Sequence, residues 1–428
     1  MKRINIFLLS ALFFALTFFS CNKHDDDKAE PEKTTVENNS GNDNTEVTPE
    51  KVTVTFDIAG GTGTADAQTV EKGTKITLPS GDGMEKAGFK FLGWSLTENG
   101  EIITEYTATE NEVKLYAVWV KVFTVKFDTD GGTGAFASQT IEKGNTATEP
   151  EIRPSKGGFK FLGWYAGDTK FDFSTPIAAE VALKAKYEYA KFSVTADGKQ
   201  VAFSGGNLQY NTETEKFQFA EHQYDIIGGG GANSGEMGIR DLFGWGTWLE
   251  GGTPMNSSIT NVEYKWNDTK KSVIGEEWVT LIKAEWDYLI SRNKGTKIGV
   301  AAVNGIHGLV LLPDDWTLPE GVAFQSGFAK EEGSEFYKDV NEYTVEQWNQ
   351  MESAGAVFLP AAGFRSGSDV DNVGIGGYYW SATADGTLYV WYLDFDPRHA
   401  FGSLKPRSRG LSVRLVRVLQ NHNIPPQK

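Results

Sequence analysis

One cysteine in 428 residues excludes an intrachain disulfide framework and any thiolate metal cluster. Five histidines limit imidazole metal sites as well. No apolar run reaches the roughly 20 residues that a membrane-spanning helix needs. Positive charge is scarce: 41 Lys and Arg face 57 Asp and Glu, a formal net charge of −16. That balance argues against nucleic acid as a partner, because phosphate backbones are neutralised by Lys and Arg. Gly-x-Ser-x-Gly, His-Glu-x-x-His and phosphate-loop signatures are missing too. Aromatic residues are plentiful, with 12 Trp, 15 Tyr and 27 Phe, enough to bury a sizeable core. The 48 glycines beside only 14 prolines suit many strands joined by tight turns. The length allows two to four domains at about 100–200 residues each.

Lys2 and Arg3 precede an apolar stretch from Ile6 to Phe19, broken only by Ser10 and Thr17. At about 14 residues it has the size of a signal-peptide core. It ends Thr17-Phe-Phe-Ser-Cys21, placing the chain's single cysteine directly after a small residue. This resembles a bacterial lipoprotein signal. The resemblance implies cleavage before Cys21 and its acylation, hence an outer-membrane protein held by a lipid anchor only. Residues 22–50 carry nine acids, three Lys and no aromatic residue, which predicts a solvated tether. The run Asn22-Lys-His-Asp-Asp-Asp27 resembles the surface-export signal of Bacteroidetes lipoproteins and implies that the protein faces the cell exterior.

Two internal repeats come next, with a period near 70 residues. Val52-Thr-Val-Thr-Phe-Asp57 recurs as Phe123-Thr-Val-Lys-Phe-Asp128, and Gly60-Gly-Thr-Gly63 as Gly131-Gly-Thr-Gly134. Gly88-Phe-Lys-Phe-Leu-Gly-Trp94 recurs unchanged from Gly158 to Trp164. Alternating Val52, Val54 and Phe56 predicts a half-buried strand, with Gly-Gly-Thr-Gly as its hairpin turn. Trp94 and Trp164 read as core aromatics. The motifs resemble the internalin B-repeat, or Listeria–Bacteroides repeat. That implies two small β-grasp-like domains, 51–120 and 121–190, acting as a short stalk.

Residues 191–420 form one larger region, followed by a tail at 421–428. Helix signals occur twice: Thr280 as a cap before Ile282, Trp286 and Leu289, and Thr344-Val-Glu-Gln347 as a capping box before Trp348 and Met351. Leu311-Leu-Pro-Asp-Asp-Trp316, Phe358-Leu-Pro-Ala-Ala-Gly-Phe-Arg365, Gly377-Tyr-Tyr-Trp-Ser-Ala-Thr383 and Ser412-Val-Arg-Leu-Val416 occur in that order. The set resembles the Fibrobacter succinogenes major paralogous domain and, more remotely, formylglycine-generating enzymes. It implies an α+β, C-type-lectin-like fold. The enzymes of that branch work through cysteines late in the domain, and this region has none, so their activity does not carry over.

No cofactor and no metal are expected. Trp266-Asn-Asp268 lacks the companion Glu-Pro-Asn of sugar-binding lectins, and Ser368-Asp-Val-Asp-Asn372 reads better as a solvated turn than as a calcium loop. Trp245 and Trp248, set among glycines, are placed in a loop where rings can stack on a ligand. Asp394 to Phe401 and Lys405 to Arg409 crowd charge and aromatic rings between strand-like runs. The expected face combines Trp248, Arg365, Asp396, Arg398, His399 and Arg407, at least three of them exposed in one patch. The function this predicts is binding of an extracellular glycan or protein ligand, without catalysis. A carbohydrate-active or modification enzyme, and a subunit of a surface appendage, are the alternatives.

Overall fold

The structure is a computed structural model that describes residues 48–227, 238–245, 274, 277–291, 296–329, 341–366 and 369–419. Cys21, most of the tether, Trp248 and Trp266 to Asp268 lie outside the described residues. Strands dominate, and the described residues include two nine-residue helices, α1 (Lys283–Ser291) and α2 (Val345–Ser353).

In the first repeat Val52 and Val54 are fully buried, and the alternation makes the strand Lys51–Asp57. It pairs antiparallel with Gln68–Glu71 and parallel with the start of the strand Glu112–Asp128. That strand is 17 residues long, about 55 Å at the usual rise per residue. Its first half closes the first repeat. Its second half opens the second, pairing with Gln139–Glu142 and, in parallel, with Val181–Tyr189. The expected boundary at 120/121 therefore falls inside one unbroken strand rather than in a linker. Each repeat has its own core, around Trp94 in the first and Trp164 in the second.

Gly-Gly-Thr-Gly differs from expectation. A turn closes earlier, with the Gly61 amide donating to the Ile58 carbonyl at 3.0 Å, and Thr62 then bridges to Glu85. Gly60 and Gly63 have φ of 79° and 104°, left-handed values that favour glycine. The motif thus ties a long loop across the repeat instead of making a tight hairpin.

Only Ala190 and Lys191 separate Val181–Tyr189 from the first strand of the C-terminal region, Phe192–Ser193. The second repeat sits directly on that region. A Cβ on Gly157 would lie 2.5 Å from the Gly205 carbonyl oxygen, and one on Gly158 2.2 Å from that of Phe203. In the first repeat these positions are Ala87 and an uncrowded Gly88. Around this backbone contact Lys160 pairs with Asp315 at 2.5 Å, and the Arg417 guanidinium donates to the Tyr189 hydroxyl.

The described part of the C-terminal region packs several small sheets around three hydrophobic cores, one of them around Trp348, Met351 and Phe358. Ile298–Val303, Ile306–Leu311 and Val357–Pro360 pair antiparallel and bury nearly every side chain. Gly377–Asp385, Tyr389–Phe395 and Ala400–Pro406 form a three-stranded meander. One face of the meander, with Tyr379, Leu393 and Phe395, joins Trp286 and Leu289 of α1. The other, with Tyr378, Trp380 and Tyr392, joins Phe243 and Trp245. The capping box forms as predicted: the Gln347 amide donates to Thr344 Oγ1 at 3.2 Å, and Gln347 Oε1 accepts from the Thr344 amide at 3.0 Å. The other cap does not form. Thr280 Oγ1 is buried without a partner, α1 starts at Lys283, and the Glu285 carboxylate accepts from the Ile282 amide at 2.9 Å. Ile282, expected on the buried face, is 45% exposed.

Candidate functional site

The meander positions a compact group at one end. Antiparallel pairing sets Phe395 opposite Ala400 and Asp394 opposite Phe401, so residues 396–399 make the connecting turn. Asp396 shapes it: Oδ1 accepts from the Arg398 amide at 2.7 Å and from the His399 amide at 3.1 Å. The same carboxylate meets the Arg398 guanidinium at 3.5 Å and His399 Nδ1 at 3.2 Å. The side chains of Arg398 and His399 remain about half exposed, at 50% and 49%. The Phe401 ring, 43% exposed, meets the His399 ring edge-on at 4.9 Å between centroids. Three of the six sequence-predicted residues, Asp396, Arg398 and His399, thus lie together on this turn.

Below the turn, strand alternation stacks Tyr378, Tyr392, Asp394 and Lys405 on one face. Lys405 Nζ lies 4.1 Å from the Phe364 ring centroid, 4.5 Å from Tyr378 and 5.2 Å from Tyr392, a cation enclosed by three rings. Burial pushes the Lys405 ammonium below its ordinary pKa, against the attraction of Asp394. Burial also raises the Asp394 carboxyl, although the Tyr392 hydroxyl donates to it at 2.8 Å. Asn372 donates to the Tyr378 hydroxyl at 2.8 Å, so this member of the weighed calcium loop is bound to the cage instead. Asp369–Asp371 forms a short strand against Phe364–Ser366. The result is a small exposed group, Arg398, His399 and Phe401, beside a largely buried base in which Tyr378 and Tyr392 are 8% and 4% exposed.

Two of the predicted residues do not belong to an exposed face. Arg365 is 1% exposed and Arg407 2%. The Arg365 backbone exchanges hydrogen bonds with Gly410, at 2.8 and 3.0 Å. Burial, with Arg240 nearby, holds its guanidinium below the usual range. Arg407 stacks its guanidinium 4.5 Å from the Trp245 ring centroid and donates to the Gly386 carbonyl at 2.9 Å. Trp245 itself is 1% exposed and donates to the Ser381 carbonyl at 2.9 Å, so it plugs the core rather than offering a platform. The glycines that flank it in the sequence do not mark exposure.

Sequence reasoning missed a buried polar chain. Arg414, fully buried and pushed down to about 10 by burial, donates to Asn207 Oδ1 at 3.2 Å and to the Gln223 side chain. Asn207 donates to the Tyr379 hydroxyl, and Gln223 donates to the Glu352 carboxyl at 2.7 Å. Burial raises Glu352, opposed by hydrogen bonds from Gln223 and from Ser155 of the second repeat. The chain therefore runs from the middle of the C-terminal region to its seat on the stalk. Its one signal in sequence was an arginine inside the apolar run Val413-Arg-Leu-Val416.

A concavity of about 480 Å³ lies between Gln209, Gln218, Glu221, Tyr224, Asp225 and Ile306. Asp225 is already engaged there, accepting from the His222 amide at 2.8 Å.

Comparison with known proteins bears mainly on the N-terminal half. The Listeria-Bacteroides repeat domain matches residues 53–118 and 123–186. Residues 332–416 match a domain of unknown function, DUF8237. A protein of Evansella cellulosilytica described as a membrane protein is 36% identical over 155 residues, 34% of this chain and 22% of that protein. Internalin H of Listeria monocytogenes is 29% identical over 133 residues, 29% of this chain and 23% of its own length. The chain thus spans under a quarter of either curated relative. Domains 3–4 of the Streptococcal High Identity Repeats in Tandem, from a cell surface protein, align at 18% identity over 32% of this chain and 98% of theirs. That alignment has a TM-score of 0.12, too low to carry a fold argument. Among the described residues no helix is long and apolar enough to cross a membrane. The chain carries two consecutive Listeria-Bacteroides repeat domains, joined by a shared strand.

Proposed function

We propose that the protein is an adhesin-like surface lipoprotein. Cys21 anchors it to the outer membrane, residues 21–50 tether it, and two β-grasp-like repeats (51–120 and 121–190) act as a stiff spacer. The head, residues 191–420, has a C-type-lectin-like fold and binds an extracellular glycan or protein without catalysis. The surface location draws on relatives described as a membrane protein and an internalin. The observation that carries the binding role is the turn where Arg398, His399 and Phe401 stand exposed on a base fixed by Asp396 and the Lys405 cage. The two rings give contact area at low entropy cost, and the arginine offers a planar fork for carboxylates or ring stacking.

The test is binding of the full chain to a glycan array and a panel of extracellular-matrix proteins. The variant R398A/H399A should weaken the strongest interaction by about 30-fold or more, the loss of a hot spot near 2 kcal/mol. Binding unchanged in that variant moves the ligand face elsewhere.

A further inference from the structure

The two repeats share their frame but differ around one cleft. In the first repeat Phe89, Tyr116 and Trp119 line a space of about 380 Å³ together with Asp57, Glu98 and Asn99. That volume lies in the small-ligand range of roughly 300–1,000 Å³. Lys86 forms part of its wall, donating to the Ala59 carbonyl at 2.8 Å. In the second repeat Lys156 makes the same bond, to the Asp130 carbonyl at 3.0 Å, so this lysine belongs to the shared frame.

Two of the differences between the copies fall on the cleft. Ala59 and Tyr116 have Asp130 and Lys184 as their counterparts, and these two form an ion pair at 2.7 Å. Lys186, at the position of Val118, pairs with the exposed Asp168 at 2.9 Å. The second copy therefore sets an ion pair where the first has Ala59 and Tyr116, while it keeps rings at Phe159 and Tyr187. Both copies fold on the same plan, so the open form is not a requirement of the fold. In the first repeat Glu98 and Asn99 stand exposed at the rim. Lys114 approaches Asp57 at 3.6 Å, so two carboxylates and two ammonium groups balance around the cleft. A balanced set favours a neutral hydrogen-bonding ligand over an ion.

We propose that the cleft of the first repeat binds a neutral, hydroxyl-rich ring, a hexose unit of a glycan. The aromatic rings contact its C–H face, Glu98 and Asp57 accept from its hydroxyls, and the Asn99 amide donates. The site lies in the stalk, apart from the turn of the head, and gives the protein a second point of attachment.

The test is saturation-transfer NMR of the full chain with the methyl glycosides of glucose, galactose, mannose and N-acetylglucosamine. At least one glycoside should show transfer. The double variant A59D/Y116K installs the pairing of the second repeat and should weaken that binding at least tenfold, while R398A/H399A retains it. Should A59D/Y116K not fold, E98A/N99A, on an exposed loop, should weaken it at least tenfold instead. The proposal is overturned if no glycoside shows transfer or if the cleft variants bind like the original. It is equally overturned if R398A/H399A alone abolishes the signal, which assigns the sugar to the head.

Discussion

At the residue scale, exposure separates recognition from architecture. Trp94 is 1% exposed and meets Phe56 and Phe91 edge-on, with centroids 4.8 and 5.4 Å away. Trp94→Ala should cost about 3–5 kcal/mol of repeat stability in denaturant unfolding. Arg407 is architectural too. Arg407→Ala should destabilise the head by on the order of 1–3 kcal/mol, since it leaves the Gly386 carbonyl and the Trp245 face unpartnered, yet ligand affinity should not change. Glu352 is a buried acid whose pKa is raised from an ordinary 4.5, chiefly by burial. Because folding favours its protonated form, its contribution is fully present below the ordinary pKa and is lost as pH rises through the raised one. Glu352→Gln keeps an acceptor for Gln223 without the titration. A thermal-unfolding series between pH 4 and 8 should show the original losing stability with rising pH and the variant following a flatter curve.

At the element scale, the joints matter more than the elements they join. A 17-residue strand carries no break between the repeats, and its junction repeats a detail one module further on. The Val122 amide donates to the Gly88 carbonyl at 2.9 Å, and the Ala190 amide to the Gly158 carbonyl at 3.1 Å. Past that bond the two junctions diverge. After the first repeat the chain continues into another repeat and leaves Ala87 and Gly88 exposed. After the second it enters the head, which presses its Gly205 backbone onto Gly157. Gly157→Ala should therefore loosen the head from the stalk while each part stays folded. Small-angle scattering should report a wider distribution of shapes, and proteolysis near residues 190–191 should accelerate. The reverse substitution on the first repeat, Ala87→Gly, should leave both readouts unchanged.

At the scale of the whole molecule, the two repeats share one continuous strand, and in the proposed lipoprotein the membrane end depends on a single atom, the sulfur of Cys21. Cys21→Ser should abolish acyl labelling and release the protein into the soluble fraction, because several acyl chains at about 0.8 kcal/mol per buried CH₂ would no longer hold it. Fractionation of the Ser variant with membranes as before would overturn the lipoprotein reading. The ion pairs along the stalk, such as Lys90 with Glu142 at 2.7 Å, lie largely at the surface and contribute little to its stiffness. The modules are joined instead by the shared strand and by the contact of Gly157 and Gly158 with the C-terminal region.

Local periodicity and repetition determined a good deal by themselves. Val52 and Val54 alternate with polar residues and so had to form a strand with one buried face. An exact seven-residue recurrence ending in tryptophan had to mark two copies of one unit, and Thr344 with Gln347 had to cap a helix. These features depend on neighbours within a few residues, which is why they were legible. Position relative to distant residues was not. Arg365, Arg398 and Arg407 look alike in sequence, and only packing made Arg398 a surface group and the other two internal. Burial of an arginine depends on which carbonyls and rings arrive from elsewhere, here Gly410, Gly386 and Trp245. The same holds for Thr280, whose hydroxyl lost the cap to Glu285, and for the cleft of the first repeat. Its lining comes from segments about 60 residues apart, so the space beside Tyr116, whose equivalent in the second repeat is Lys184, exists only in the fold.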